Sequence, residues 1–383
     1  MDISEYLELI KTLVRVGAVS SEIAKVNRSQ EIMHDFLAAH GVKHLTFEEF
    51  PDGRKVLFAA NRPGKVQQVI LNAHLDVVPP VSETQFEPYE QDGWLVGRGA
   101  GDDIANVAIC AATLVRMLDS DRGVGVIFTA DEELGGFTTA GMAERGYRAT
   151  ELAVIMDGSP YVIDICEKGI LVLEVKAIGK ACHAAYPWTG ENAADKLIDG
   201  YIKLRNYLKT KKLATIDSQW GETFQLCQMK GSDAENLVPG EASFIINIRY
   251  PDPARRDAII KEVREATGCE VTVQRECPPV YSDENSPVLQ HLLRTMQECF
   301  PKEQVAFHRM NGATDARHIV GWNVPIAITG ADHRDIHEVI RIGYRDESRR
   351  NVFDVVRRIE GGRHRPTDTG NRLVACVGDV CYI

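Results

Sequence analysis

The sequence predicts an α/β protein, with a mostly parallel sheet carrying helices on both faces and an inserted ferredoxin-like α+β domain. Three observations carry that prediction. Short apolar runs alternate with amphipathic stretches between about residues 55 and 160, as successive β-α units require. Three of those runs end directly on acidic or imidazole groups: Val69-Ile70-Leu71-Asn72-Ala73 before His74, Val124-Gly125-Val126-Ile127-Phe128-Thr129 before Glu132-Glu133, and Leu152-Ala153-Val154-Ile155-Met156 before Asp157. Beyond Gly169 the pattern changes to strand, helix, strand, strand, helix, strand, the ferredoxin-like order.

The first segment, Met1-Asp2-Ile3-Ser4-Glu5-Tyr6, has no basic start followed by an apolar core, so a cytoplasmic location is the expectation. The run at 69–73 is short, apolar and rich in β-formers, so it reads as a buried strand that delivers His74 at its carboxyl end. From Asp102 a helical stripe runs through Ile104, Val107, Ala108, Ala111, Leu114, Val115 and Leu118, with the carboxylate at the end of the helix that favours negative charge. The strands at 124–129 and 152–156 then add Glu132, Glu133 and Asp157. Three strand ends thus present ligand-type groups to one rim, which in open α/β sheets is where ligands bind.

In the next region, residues 170–178 read as a strand, 191–209 as a helix, 222–230 and 241–249 as strands, 253–267 as a helix and 269–276 as a strand. Ligand-type motifs stop before this block and resume after it. The expected organisation is therefore a discontinuous catalytic domain of residues 1–169 and 278–360, an inserted lid or dimerisation domain of 170–277, and a C-terminal extension of 361–383. Pro278-Pro279 marks the return to the first domain, which resumes with a helix near 287–300.

Composition narrows the function classes. The 383 residues are 44% apolar and 26% charged with a formal net charge of −11, which argues against nucleic acid or an anionic membrane as the main partner. The nine cysteines are scattered and odd in number, as expected of reduced thiols. Cys376 and Cys381 have no companion Cys or His pair to complete a zinc motif. Gly97-Arg98-Gly99-Ala100-Gly101 lacks the GxGxxG spacing and precedes two carboxylates that would repel phosphate. His34, His40, His44, His291 and His308 read as surface or packing residues.

His74, Asp102, Glu133, Asp157 and one C-terminal histidine form a donor set for two divalent metals. Three carboxylates and a shared hydroxide balance a charge of +4, and an uncompensated buried charge would be costly. Asp102 is the expected bridge between the metals, and Glu132, beside a ligand but free of it, is the expected general base. Asp76, two residues past His74, is expected to accept the remaining imidazole N–H on its carboxylate. Asp103 reads as a helix-start charge.

Together with Gly97-Arg98-Gly99-Ala100-Gly101-Asp102-Asp103, Thr129-Ala130-Asp131-Glu132-Glu133-Leu134-Gly135 and Gly179-Lys180-Ala181-Cys182-His183, the segment His74-Leu75-Asp76 resembles the di-zinc metallopeptidase family. That family includes aminoacylases, succinyl-diaminopimelate desuccinylases, glutamate carboxypeptidases and carnosinase-type dipeptidases. The resemblance covers residues 1 to about 355 and implies a fold of the di-zinc exopeptidase type. It also implies two divalent ions, zinc first with manganese or cobalt as alternatives, and a homodimer formed through the inserted domain. In such a dimer His183 steadies the oxyanion from the partner's side. Asn236 and Arg249 match residues that hold a substrate carboxylate, and Thr314, within Gly312-Ala313-Thr314-Asp315-Ala316-Arg317, matches a loop lining the substrate pocket. The C-terminal ligand falls on His333 or His337, with His333 the expectation.

The chain departs from the family pattern where Asp102-Asp103-Ile104-Ala105 replaces the usual lysine-glycine pair after the acids. Asp rather than Glu at position 157 resembles the aminopeptidases and dipeptidases. The expected activity is therefore hydrolysis of dipeptides or similar small amino-acid amides, with small peptides as substrates. An N-acyl-amino-acid deacylase with the same machinery is the alternative, and a non-catalytic amino-acid-binding homologue is a further one.

Overall fold

The structure is a computed structural model that describes residues 3–91, 93–334, 341–343, 375–377 and 380–382. Two compact units result. One comprises Met1–Ile165, Ser282–His308 and Thr314–Ile383, and the other Cys166–Tyr281 with Arg309–Ala313. The stretch 170–277 lies inside the second unit, which also takes in a few residues on either side and the short return segment at 309–313.

At the centre of the first unit is strand Val66–His74, flanked by Val124–Thr129 and Arg148–Ile155, both parallel to it. Ile326–Ile328 continues the parallel run beside Arg148–Ile155. Antiparallel strands close both sides: Lys55–Ala60 and then His44–Glu49 beyond Val124–Thr129, and Val162–Glu167 beyond Ile326–Ile328. The sheet is thus parallel where the ligand-type motifs sit and antiparallel at its margins. Val124–Thr129 is buried at all six positions, the pattern of a strand covered on both faces.

Helices Ile3–Val16, Ile23–Ala39, Ala105–Arg116, Phe137–Glu144 and Pro287–Cys299 belong to this unit. The first ten residues of Ala105–Arg116 are all buried, because this helix is apolar nearly all round and packs as a core element. Fully buried Gln30 on Ile23–Ala39 donates to the Phe128 carbonyl at 2.8 Å and accepts the Leu57 N–H at 3.0 Å. One side-chain amide thereby pins the helix to two strands.

The second unit has a four-stranded antiparallel sheet in the order Thr223–Lys230, Glu241–Tyr250, Gly169–Ile178, Glu270–Cys277, accompanied by helices Ala193–Leu208 and Arg256–Thr267. This is the ferredoxin-like strand order. Alternate residues of Glu241–Tyr250 are buried, with Phe244, Ile246 and Ile248 packing on Leu171, Leu173 and Val175. The helix expected over 253–267 starts three residues late. Asp252 instead caps a tight turn at Pro253–Arg255 by accepting the Ala254 N–H at 2.9 Å.

Most of the C-terminal extension assigned to 361–383 lies outside the described residues. Within it, Ala375–Val377 and Val380–Tyr382 pair as a short antiparallel ribbon. Among the described residues no helix is long and apolar enough to cross a membrane.

Candidate active site

The three adjacent parallel strands bring the expected groups to one rim. Register pairs His74 with Thr129 and Asn72 with Ile155, so His74, the turn Glu132–Leu134 and Asp157 all leave the sheet at its carboxyl edge. Asp102 arrives from the other direction, at the start of the helical segment 100–116, with φ −119° and ψ 90° in an otherwise helical stretch. The Asp102–Asp103 peptide is cis.

Ligand atoms of His74, Asp102 and Glu133 lie within 4.8 Å of one another, and so do those of His74, Asp103 and Asp157. His74 is 1% exposed, and its Nε2 sits 2.9 Å from Asp102 Oδ1. Burial works against a charged imidazole, yet the Asp103, Asp102 and Asp76 carboxylates outweigh it and push His74 well up. Burial, then Asp102 and Glu132, pushes Asp157 well up. Glu133 rises to about 7, from burial first and then Asp102 and Asp76. Carboxylates that raise one another in this way, around an imidazole nitrogen, have the donor chemistry of a divalent-cation site. The residues present fit the metals that the sequence implies.

Asp103 is more than a helix-start charge. It is completely buried, its Oδ2 accepting the His74 backbone N–H at 2.8 Å and its Oδ1 the Asn106 amide at 2.6 Å. With both oxygens engaged, it clamps the strand end that carries His74. Asn106 extends this clamp, accepting the Ala331 N–H at 2.8 Å. His333, two residues on, opens the short strand His333–Arg334 paired with Arg341–Gly343. Its side chain is not among the described atoms, and His337 lies outside the described residues.

Asp76 differs from expectation in detail. The nearest acceptor to His74 Nδ1 is the Asp76 backbone carbonyl at 2.9 Å, while the Asp76 carboxylate stands 3.5 Å away. That carboxylate takes the Ser20 hydroxyl at 2.7 Å and the backbone N–H groups of Glu132 and Glu133 at 3.1 and 3.3 Å. Burial opposes its ionisation, but these donors and His74 hold it below the usual carboxylate range. Asp76 therefore positions the turn bearing both glutamates.

Glu132 is pushed up to about 8 by burial and next by Asp315, while His74 and Arg317 pull the other way. Arg317 Nη2 donates to Glu132 Oε1 at 3.1 Å, a contact the sequence reading did not foresee. Thr314 is 3% exposed and caps the turn Asp315–His318, its hydroxyl accepting the Ala316 N–H at 3.2 Å. In the same turn, Asp315 Oδ2 accepts the hydroxyls of Thr129 and Thr139 at 2.9 and 2.6 Å. The loop picked out in the sequence thus carries the cationic partner of Glu132.

The remaining predicted residues belong to the second unit. His183 and Asn236 share a small ribbon in which Cys182–His183 pairs with Leu237–Val238 and the Ala184 N–H donates to the Asn236 carbonyl at 2.9 Å. Both are exposed. His183 Nδ1 accepts the Ala185 N–H at 3.1 Å, which puts the ring proton of the neutral imidazole on Nε2. Arg249 stands apart, on strand Glu241–Tyr250 between Thr223 and Ile170.

Comparison with known proteins gives a consistent picture. Residues 70–359 match the family described as Peptidase family M20/M25/M40. A probable carboxypeptidase of Aspergillus terreus is 27% identical over 296 residues, 69% of this chain and 65% of that protein, so the chain spans just under two thirds of that relative's length. The succinyl-diaminopimelate desuccinylase of a Nitratiruptor species is 25% identical over 87% of this chain and 93% of its own. Among solved structures, aminopeptidase PepT of Bacillus cereus superposes with a TM-score of 0.72 at 18% identity, covering 90% of this chain and 94% of its own. A metallo-carboxypeptidase of Sulfolobus solfataricus gives 0.67 at 15% identity over 90% of this chain and 95% of its own. At such identities the structural likeness is one of fold.

Proposed function

The chain belongs to peptidase family M20/M25/M40, and on that premise we propose that it is a metal-dependent exopeptidase cleaving the amide bond of dipeptides or similarly small amino-acid amides. The observation that carries this reading is the meeting of His74, Asp102 and Glu133 within 4.8 Å at the carboxyl edge of three parallel strands, with Glu132 beside them.

In this reading His74, Asp102, Glu133, Asp157 and His333 are the residues that would hold two divalent ions. When bound, the ions polarise the scissile carbonyl and acidify water. Glu132 takes the proton of the attacking water and passes it to the leaving amine. Its raised pKa suits a group that must first accept and then release a proton near neutrality, and Arg317 keeps its carboxylate aimed. Asp76 holds the Glu132–Glu133 turn through two backbone N–H groups. His183, donating from Nε2, steadies the oxyanion, from a second copy of the chain if the dimer forms through the second unit. Arg249 takes the substrate carboxylate by its two-pronged guanidinium, and Asn236, beside His183 and apart from Arg249 within one chain, joins it from a second copy.

Asp at position 157 supports the dipeptide reading over the acyl one. The desuccinylase that matches along nearly its whole length favours the alternative, an N-acyl-amino-acid deacylase with the same machinery. Initial rates on matched free-amino dipeptides and N-acyl amino acids separate the two. Turnover of dipeptides is the expected result, and turnover of acyl compounds alone assigns the chain to the deacylases.

A further inference from the structure

His318 closes the turn Asp315–His318 and has no part in the reading above. Its Nε2 lies 3.1 Å from Arg317 Nε and 2.8 Å from the Gly135 carbonyl oxygen. Arg317 Nε always carries a hydrogen, and a carbonyl oxygen only accepts. One ring nitrogen therefore faces a donor and an acceptor, both at hydrogen-bond distance, and it satisfies one of them at a time. A bare Nε2 accepts from Arg317. A protonated Nε2 donates to Gly135 and sets its hydrogen against that of the guanidinium. The close approach depends on residue 136 being glycine, because a Cβ there would stand 2.8 Å from His318 Nε2.

Two observations favour the bare nitrogen. Arg317 is 7% exposed, and a charged donor makes a hydrogen bond about twice as strong as a neutral one. Burial holds His318 below the usual histidine range against the pull of Asp315, and Arg317 adds to the lowering, which leaves the imidazole neutral with its proton on Nδ1. The consequence reaches Glu132. Nε and Nη2 make up one edge of the guanidinium fork, the edge that grips a carboxylate with two prongs when both are free. Here Nη2 donates to Glu132 Oε1 at 3.1 Å, while Nε is taken by His318.

We propose that His318 is a positioning residue whose bare Nε2 occupies one prong of Arg317 and so sets the single-pronged contact with Glu132. Removal of the imidazole frees that prong. A carboxylate gripped by the whole fork is fixed in place, whereas a general base must turn from the attacking water to the leaving amine. The part His318 plays toward Glu132 rests on the hydrolase reading above, but the state of its ring nitrogen does not.

Long-range proton–nitrogen spectra of the zinc-loaded full chain with isotope-labelled histidine report which ring nitrogen carries the proton, and His318→Gln assigns the His318 signals by their loss. At about pH 8, where an ordinary imidazole is neutral, the parent should show the Nδ1–H form. Arg317→Lys keeps the charge but removes the Nε–H, so it should move the proton to Nε2, where Gly135 becomes the partner. An Nε2–H form in the parent, or a form that Arg317→Lys leaves unchanged, would overturn the proposal. In the kinetic arm, His318→Leu should lower kcat about tenfold or more with little change in KM. His318→Gln, whose amide oxygen accepts from Arg317, should recover part of that loss. Parental kcat in His318→Leu, or equal losses in the two folded variants, would overturn it as well. The spectra need no His318→Leu protein, which keeps the test open should that variant fail to fold. An Nδ1–H form that depends on Arg317 in a protein that hydrolyses nothing would reject the hydrolase reading and uphold the contact with Arg317.

Discussion

Replacing Asp76 by Asn changes two atoms' chemistry and almost none of its volume, at a residue with no exposed surface. Asp76 Oδ1 accepts the Glu132 N–H, and Oδ2 accepts both the Ser20 hydroxyl and the Glu133 N–H. An amide has one acceptor oxygen and an NH₂ that only donates. Whichever way it turns, the NH₂ faces one backbone N–H of the Glu132–Glu133 pair. The better orientation keeps the oxygen at the Oδ2 position and strands the Glu132 N–H, at about 1–3 kcal/mol for a buried unmet donor. The two surviving hydrogen bonds lose their charge assistance, about 1 kcal/mol each. Together the loss is about 3–5 kcal/mol, a large fraction of the stability of an ordinary domain. Urea unfolding followed by circular dichroism reads this loss directly. Because the stranded N–H belongs to Glu132, the proposed general base, turnover should fall as well. A variant within about 0.5 kcal/mol of the parent, with the same kcat, would refute the assignment of Asp76 as the anchor of this turn.

Glu132→Gln should retain both metals by elemental analysis and lose about 10²–10⁴-fold in kcat, and near-parental turnover would exclude Glu132 as the base. Arg317→Ala removes the guanidinium facing Glu132, a group already pushed up to about 8 and so able to take up a proton in its place, and should destabilise by about 1–3 kcal/mol, measured by the same unfolding titration; a neutral effect would mean the pair contributes nothing. Asn106→Leu removes the amide joining Asp103 to the Ala331 N–H and should cost about 2–4 kcal/mol while lowering metal content, which inductively coupled plasma analysis can read. Gly136→Ala drives a Cβ into Asp315 Oδ1 at a φ of +72°, so a thermal midpoint equal to the parent's would contradict the packing of that turn.

The metal-type residues were legible because His74, Glu133 and Asp157 come just after short apolar runs that read as strands, while Asp102 opens a helical stripe. His74, Asp102, Glu133 and Asp157 announce themselves locally, and register then aligns them. The ferredoxin-like order was legible for a similar reason, since the alternation in 241–249 and 170–178 marks strands with one buried face. The contacts that aim the site were not. Arg317 and Glu132 are 185 positions apart, Asn106 and Ala331 are 225 apart, and neither pair has any local signature. In the loop at 312–317 the sequence points to Thr314, whereas Arg317, three residues on, meets Glu132. Asp76 shows a finer limit. Its spacing from His74 suggested a carboxylate on the imidazole, but the chain turns so that its own carbonyl takes that place and the carboxylate is released to hold Glu132 and Glu133.

The central claim is that this rim is a hydrolytic metal centre for small free-amino peptides. Initial rates of the zinc- or manganese-loaded protein on paired dipeptides and N-acyl amino acids, each with a chelated control, test it most directly. The account predicts dipeptide turnover that chelation abolishes and restored metal recovers. Full metal occupancy with no turnover of either series, or dipeptide turnover that persists under chelation, would contradict it.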